Sequence, residues 1–294
     1  MTDTMQRSLT RKRRSWRSGQ AFGLLSQVLS YLFLAVLAVT TLGPFVVMVS
    51  ASLSPDLPIL TFPLPLIPRP IGLQNYVLLF SKTLVARWLW NSTYVTTVGT
   101  IAMLLTSSMA GYAFARGEFI GKTVLFMAFL GILMVPMTVR IVPIYMLLSK
   151  LHWVNTYWAL IGPWSASAFG TFFMRQQFAS IPQDYDDAAI VDGASKFQVL
   201  FRVLLPQVKP GLVTLGILRF MSHWNDFLYP MMLTSKPAMR TLTVGLSTLG
   251  REHVEIGAGF EMAGAVMGFL PTFLLFLVGQ RFIVEGISLT GVKG

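Results

Sequence analysis

The chain has 294 residues, of which 54% are hydrophobic and only 12% are charged, with a formal net charge of +11 and no cysteine. Ordinary globular proteins carry about 25% charged residues, so this composition argues against a soluble globular protein. The lack of cysteine excludes disulfides, thiolate catalysis and cysteine-ligated metals.

Long apolar runs predict about six membrane-spanning helices. Four runs carry no charged side chain at all, and two further runs, 123–148 and 211–235, are interrupted by charged residues. Each of those four is close to or above the ~20 residues that cross the hydrocarbon core of a bilayer. They cover residues 24–49, 88–115, 154–174 and 262–280. We therefore predict an all-α, polytopic membrane protein.

Basic residues at 11–14 precede the first apolar run. A secretory signal has an apolar region of about 7–15 residues before a cleavage site, whereas this run is much longer, so we predict an uncleaved first span. With six spans, 14 of the 23 Lys and Arg residues fall on the cytoplasmic side, 7 outside and 2 within spans. This bias places both termini in the cytoplasm and explains the basic tetrapeptide without a nucleic-acid partner.

The predicted organisation has four parts. Residues 1–21 form a cytoplasmic basic tail, and 22–87 form the first span and an external loop. Residues 88–284 form the main transmembrane domain, with a cytoplasmic loop at 178–210, and 285–294 form a cytoplasmic tail. Prolines crowd the external stretch 51–87, which favours an extended path without helix.

The internal loop at 178–210 is polar and contains several residues that typically begin or end helices. Ser180 to Gln183 has the spacing of a capping box with a proline in the first turn, and acidic residues follow it. Gly193 fits a left-handed C-cap, and Ser195 to Gln198 has the spacing of a second capping box. The loop is therefore predicted to hold two short helices that meet at a glycine turn.

After the second capping box, apolar residues recur at helical spacing and form a stripe. Two prolines follow and are predicted to stop that helix. The stripe is Phe197, Leu200, Phe201 and Leu204, and the prolines are Pro206 and Pro210. The turn, the small pair Ala188 and Ala189, and this stripe are predicted to be exposed. An exposed apolar stripe is typical of an interaction site, and equally of a helix that lies on the membrane interface. From the residues alone both interpretations stay open.

The octapeptide at 187–194, Asp-Ala-Ala-Ile-Val-Asp-Gly-Ala, with Leu-Pro at 205–206, resembles the EAA motif of ATP-binding-cassette importer permeases. Asp187 stands where that family usually has glutamate, so a contact of its shorter arm is expected to be weaker or relayed by water. The resemblance implies that this loop is the coupling helix that docks on the ATPase. The residues implied are Asp187, Ala188, Ala189, Asp192, Gly193, Ala194, Phe197, Phe201, Leu205 and Pro206.

Four more stretches, 111–116, 134–136, 155–160 and 224–230, resemble the carbohydrate-uptake, MalG-like branch of that family. The resemblance runs from Leu24 to the C-terminus. It implies a type I importer in which this chain forms half of the pathway beside a second, MalF-like permease subunit. Two ATPase subunits that use ATP and Mg, and an external solute-binding protein, complete it. Saccharides, or glycerol phosphate derivatives, are the implied substrates.

The chain itself has no phosphate-binding loop of the Gly-x-x-x-x-Gly-Lys-Ser/Thr type, so we expect no ATP hydrolysis by this subunit. Neither metal-ligand spacing nor a nucleophile–base pair stands out, and no cofactor is expected on this chain. Catalytic residues are therefore not predicted.

Polar residues at helical spacing mark the fifth span: Arg219, Ser222, His223 and Asp226, with Asn225 beside them. At 1.5 Å per residue Arg219 lies ~13 Å past Pro210, near the middle of a bilayer. A charge at that depth lines a pathway or gate, or is satisfied inside the bundle by Asp226 or by a carbonyl of another helix. The two interpretations are compatible.

Other single residues have simpler explanations. Arg140 is expected to snorkel to the external interface, and Pro136 and Pro143 are candidate kinks of the third span. Five tryptophans near external span ends are predicted to form an aromatic belt: Trp88, Trp90, Trp153, Trp158 and Trp164.

Two other classes of protein compete with the importer permease. A secondary transporter driven by an ion gradient is expected to show paired acidic residues in its spans and two related halves, and neither is found. A non-transporting membrane scaffold explains a docking loop but not the polar residues of the fifth span.

Overall fold

The computed structural model describes the backbone of residues 2–55, 70–253 and 256–291, and the side chains of 26–55, 70–253 and 256–282. Within these residues the chain is helical and contains no β-strand, which confirms the predicted all-α class. The first eight helices are α1 Thr2–Ser52, α2 Gln74–Lys82, α3 Val85–Arg116, α4 Lys122–Leu133, α5 Met137–Lys150, α6 Tyr157–Ile161, α7 Ala168–Ala179 and α8 Asp184–Val191. They are followed by α9 Lys196–Gln198, α10 Leu205–Gln207, α11 Lys209–Trp224, α12 Leu228–Leu233, α13 Leu242–Leu246, α14 Leu249–Glu252 and α15 Ala258–Gly291.

Three of the described helical segments are long and apolar enough to cross a membrane: 26–52 of α1, all of α3, and 258–282 of α15. Two bent pairs raise this number to five if each pair is one span: α4 with α5, bent by 106°, and Lys196–Gln207 with α11, bent by 84°. The run predicted at 154–174 instead forms α6, a 3-10 turn at Gly162–Trp164 and α7. The number of six spans stays a prediction.

Proline explains one of these bends. Pro136 immediately precedes α5 and adopts an extended ψ of 140°, so the helix of α4 ends before it. Pro143 lies inside α5, which continues to Lys150 without a break. Of the two predicted kinks, only the one at Pro136 divides the span.

Helix α3 lies at the centre of the bundle, packed along α7 and against α11, while α15 packs against α11 and α1. Small residues permit the close approach of α3 and α7. A Cβ on Gly111 would lie 2.7 Å from Cβ of Met174, and one on Gly170 would overlap Oγ of Ser107. Close packing through small residues is the usual way in which membrane helices associate.

The external stretch 51–87 is not wholly extended, contrary to the prediction. Its central prolines lie outside the described residues, but α2 follows directly after them. Leu79 of α2 is fully buried, and Asn75 donates hydrogen bonds to the carbonyls of Ser52 and Ser54. Burial against α15 therefore produces a helix that proline density alone did not indicate.

The aromatic belt is also only partly present. Trp90 and Trp158 are exposed, as a belt requires. Trp88 is 3% exposed, and its Nε1 donates to the carbonyl of Pro237, so it belongs to the core between α3 and the external segment. Trp164 packs inside the bundle, against His223. Position near a predicted span end did not distinguish these two groups.

Candidate functional site

The internal loop forms two helical segments around a left-handed glycine. Gly193 has φ +82° and follows α8. The amide of Gly193 donates to the carbonyl of Ile190, and the amide of Ala194 donates to the carbonyl of Ala189, both at 2.9 Å. This pair of bonds is a Schellman motif, in which glycine is the usual residue at the left-handed position. The predicted glycine turn is confirmed.

One of the two predicted capping boxes is present. Ser195 Oγ accepts from the amide of Gln198, and the Gln198 side chain accepts from the amide of Ser195. The first box is wrong, because Gln183 is the N-cap of α8 and Ser180 Oγ donates to the carbonyl of Gln177 in the preceding helix. The spacing is the same in both cases, but α7 extends far enough to engage the serine.

The apolar stripe divides between two environments. Leu200 and Leu204 are 2% and 0% exposed and pack with Met174 and Phe178 of α7, so their predicted exposure is wrong. Phe197 and Phe201 remain 63% and 40% exposed, with their rings parallel at a centroid distance of 6.4 Å. Leu200 and Leu204 therefore hold the loop against α7, while Phe197 and Phe201 stay accessible at its surface.

The end of this segment also departs from the prediction. Pro206 lies within α10 instead of stopping the helix ahead of it, and a π-helical stretch at Val199–Leu204 precedes that helix. Pro210 lies in the first turn of α11, where proline is favoured, and so begins a helix. The 84° bend falls between Gln207 and Lys209.

A buried ion pair ties α8 to the end of α3. Arg116 Nε donates to Oδ2 of Asp186 at 3.1 Å, and Arg116 Nη2 donates to the carbonyl of Ile181 at 2.6 Å. The two side chains are only 14% and 6% exposed. Sequence reasoning grouped Asp186 with the other acidic residues of the loop. A buried charge is costly unless it is paired, so the burial of Asp186 marks this residue as the partner of a cation. The sequence alone does not show that burial.

The implied docking residues are mostly at the surface. Asp187, Ala188, Asp192, Phe197, Phe201 and Pro206 are exposed, while Ala189, Ala194 and Leu205 are half-buried. Ala189 and Ala194 pack against the cluster that contains Leu200 and Leu204. Within the described residues the Asp187 side chain makes no hydrogen bond or ion pair, so it is available to a partner.

A second feature is a cavity of about 320 Å³, open to the surface at exposed lining residues such as Ile132 and Phe169, where three parts of the chain meet. These are the break between α4 and α5, the segment between α6 and α7, and the middle of α11. Arg219 lines the cavity; its Nη2 donates to the carbonyl of Trp164 at 3.1 Å, and its guanidinium stacks 4.1 Å from the Trp164 ring. Arg140 and Tyr229 line the same space.

The polar residues of the fifth span do not share one helical face. Helix α11 ends at Trp224, so Asp226 lies in the break before α12, where its Oδ1 accepts from the amide of Tyr229. His223 is buried against Trp164, whereas Ser222 and Asn225 are exposed. No ion pair joins Arg219 to Asp226 in the described part of the chain. The sequence left Asp226 and a carbonyl of another helix as possible partners of Arg219. In the structure the partner is the carbonyl of Trp164.

Arg140 differs most from its expected place. It was predicted to snorkel outward, but its side chain is half-buried and lines the cavity beside Trp164. The 106° bend at Pro136 turns the first part of α5 toward the cavity, a direction that a straight third span would not give. Arg140, Trp164 and Tyr229 are therefore the cavity residues that sequence reasoning missed.

Comparison with known proteins agrees with this architecture. Residues 102–284 match the family of binding-protein-dependent transport system inner membrane components. The chain is 34% identical over 277 residues to an arabinooligosaccharides transport system permease protein of Halalkalibacterium halodurans, across 92% of this chain and 98% of the relative. It is 30% identical over 275 residues to a trehalose/maltose transport system permease protein of Thermococcus litoralis, across 92% and 98%.

The fold is also that of a solved importer chain. A chain of a bacterial ABC transporter involved in the import of the acidic polysaccharide alginate superposes with a TM-score of 0.75 at 23% identity, over 90% of this chain and 97% of that one. The family match covers more than half of the sequence, and the relatives align almost end to end. This chain belongs to the family of binding-protein-dependent transport system inner membrane components and is a permease subunit.

Proposed function

We propose that this permease subunit forms half of the translocation pathway of an ATP-driven saccharide importer, and that its loop at 178–210 receives the motion of a separate ATPase. Relatives named for arabinooligosaccharides and for trehalose and maltose support a saccharide substrate. The subunit would work beside a second permease subunit, two ATPase subunits and an external solute-binding protein, with both of its termini in the cytoplasm. ATP and Mg would be bound by the ATPase subunits and not by this chain.

The observation that carries this proposal is the way the loop is held. Helix α8 ends in the Schellman motif at Gly193, which aims the chain into the second helical segment, and Leu200 and Leu204 fix that segment on α7. The buried pair of Arg116 and Asp186 fixes α8 on α3. A loop that only covered the cytoplasmic surface would not need a buried charge pair, whose removal from water is costly.

The same contacts provide a route for force. When the ATPase subunits close on ATP, they would press on the exposed parts of α8 and of the segment Lys196–Gln207. The ion pair would carry this displacement into α3, and the leucines would carry it into α7. Because α3 and α7 pack closely along one another, they would move as one body and change the shape of the cavity between α5, α7 and α11.

The deciding experiment is purification of the tagged chain from its native membranes, followed by identification of the bound proteins and by uptake in proteoliposomes. An ATPase with a phosphate-binding loop should co-purify. Saccharide uptake should require ATP on the cytoplasmic side of the membrane and the solute-binding protein on the external side. Uptake driven by an ion gradient without ATP would instead support a secondary transporter. Co-purification of a complex without any uptake would support a scaffold.

A further inference from the structure

The cavity between α4, α5, α7 and α11 has a chemical character that the importer function by itself does not require. Its polar lining includes two guanidinium groups, Arg140 and Arg219, and none of the described residues that line it is acidic. Asp226 lies outside the lining; its Oδ1 accepts from the amide of Tyr229, and its Oδ2 is buried without a hydrogen-bond partner among the described residues. Two arginines in the lining and one carboxylate behind it leave an excess of one positive charge, which attracts negative charge most strongly where water is scarce.

The donors of this cavity are incompletely used. Nε of Arg140, Nε of Arg219 and the hydroxyl of Tyr229 are buried and have no hydrogen-bond partner among the described residues. Leaving a buried donor unpaired costs about 1–3 kcal/mol, and more for a charged group, so such groups normally have a partner that satisfies them. One unpaired buried acceptor, Oδ2 of Asp226, lies among the same residues, so unpaired donors outnumber unpaired acceptors beside this cavity.

The remaining lining suits a sugar ring. Trp164 and Tyr229 lie edge to face at a centroid distance of 5.6 Å, and Phe129 and Phe169 contribute further aromatic surface. A volume of about 320 Å³ falls at the lower end of small-molecule sites. Stacking of Arg219 on Trp164 also fixes the direction of the guanidinium, which limits the entropy that it loses on binding.

We propose that this cavity binds the acidic group of an anionic saccharide, with Arg140 and Arg219 as the counter-charges and Trp164 and Tyr229 against the ring. This inference rests on the proposed function, because it names the substrate class of the same importer. A carboxylate or sulfonate on the sugar pairs with the planar guanidinium fork in a way that a hydroxyl cannot. The site therefore distinguishes charged from neutral saccharides within the membrane, after the solute-binding protein has released its cargo.

The test uses the whole transporter complex, purified through this chain and placed in nanodiscs of phosphatidylcholine. The probe is trigalacturonate, and its uncharged trimethyl ester is the matched control ligand. Saturation-transfer NMR titration gives the Kd of each. We expect saturable binding of trigalacturonate and binding of the ester that is weaker by about tenfold or more, since a hydrogen bond to a charged group is that strong. Equal binding of the two ligands, or no binding of either, overturns the proposal.

Variants of this chain assign the binding to the cavity. Arg140→Gln and Arg219→Gln should each raise the Kd for trigalacturonate by about tenfold or more. Arg251→Gln, at an exposed arginine of α14, should leave it unchanged. Arg140 makes no hydrogen bond within the described residues, so its variant should fold even if Arg219→Gln does not. An unchanged Kd in Arg140→Gln overturns the proposal.

Two further measurements distinguish an anionic saccharide from other negatively charged groups that could occupy the cavity. If phosphatidylglycerol in the nanodisc displaces trigalacturonate fully, the arginines hold a lipid headgroup and the proposal fails. If the isolated chain binds trigalacturonate but the complex does not, a carboxylate of the other permease subunit fills the site and the proposal also fails. Co-purification of the ATPase in the same samples tests the importer function independently, so the two ideas can fail separately.

Discussion

Arg116 Nε lies 3.1 Å from Oδ2 of Asp186 and thereby joins the end of α3 to the first turn of α8 across 70 residues of sequence. The pair is nearly closed to solvent, with the side chains 14% and 6% exposed. It is the mechanical link that the proposed transmission of force requires, because it connects the loop at 178–210 to the central helix of the bundle.

Breaking this pair should destabilise the loop. Asp186→Asn leaves the guanidinium of Arg116 buried without its counter-charge, which costs about 3 kcal/mol for a buried pair. We expect a lower Tm of the purified complex and loss of most ATP-driven uptake. Asp184→Asn is the matched control, because Asp184 is an exposed acid of the same helical turn, and its variant should retain the Tm.

A double variant shows whether the effect belongs to the pair. Removing both charges, with Arg116→Met and Asp186→Leu together, leaves no unpaired buried charge, so the double variant should be more stable than either single variant. The measurement is a double-mutant cycle on the Tm of the complex. Additive losses from the two substitutions would mean that the pair is not coupled.

Replacement of Gly193 by valine should uncouple ATP hydrolysis from transport without preventing insertion. A Cβ at this position meets no atom within 4 Å, so the expected cost comes mainly from the left-handed φ of +82°, at least about 1–2 kcal/mol for a β-branched residue. Gly121 is a matched control, since it has φ +83°, is equally open and lies outside the loop. We expect Gly193→Val, but not Gly121→Val, to reduce uptake per ATP hydrolysed; equal effects would contradict the role of the loop.

The shorter acid at position 187 offers a gain-of-function test. Asp187 is exposed and without an intramolecular partner in the described structure, so its substitution should leave the Tm unchanged. Asp187→Glu should bind the ATPase as tightly as the natural chain or more tightly, whereas Asp187→Ala should weaken binding about fivefold, the loss of one exposed charge contact of ~1 kcal/mol. The Kd is measured by titrating ATPase onto the permease complex; unchanged affinity in Asp187→Ala would exclude a contact there.

The exposed phenylalanines distinguish ATPase docking from contact with the lipid surface. If Phe197 and Phe201 enter a partner, the double substitution to alanine should abolish co-purification of the ATPase while membrane insertion persists. Phe119→Ala, at an exposed phenylalanine of the turn after α3, should retain the ATPase. Retained ATPase in the double variant, with altered partitioning of the loop at the bilayer, would favour the membrane-interface interpretation.

Features that depend on a few neighbouring residues were predictable from the sequence. The left-handed turn at Gly193, the capping box at Ser195 and the break at Pro136 all follow from local backbone geometry. The all-α class follows from apolar runs of membrane length. The same local signals also fail where a neighbouring element competes, as at Ser180, which donates a hydrogen bond back into α7.

Features that depend on contacts across the chain were not predictable. The motif drew attention to Asp187, yet its neighbour Asp186 is the acid that turns inward to Arg116. Leu200 and Phe201 are adjacent in one apolar stripe, but only the leucine meets α7. Arg140 faces the cavity because α4 and α5 meet at a sharp angle, and the size of that angle depends on the packing around it.

The sequence by itself determined that this chain is a helical membrane protein with one structured internal loop, because hydropathy and helix caps act over single turns and single spans. Only the tertiary structure decided which charges of that loop are tied down, which of its apolar side chains remain available, and which arginines share a cavity. Those properties are set by the relative position of helices far apart in sequence, and in a membrane that position depends on close backbone approach and on the pairing of buried polar groups.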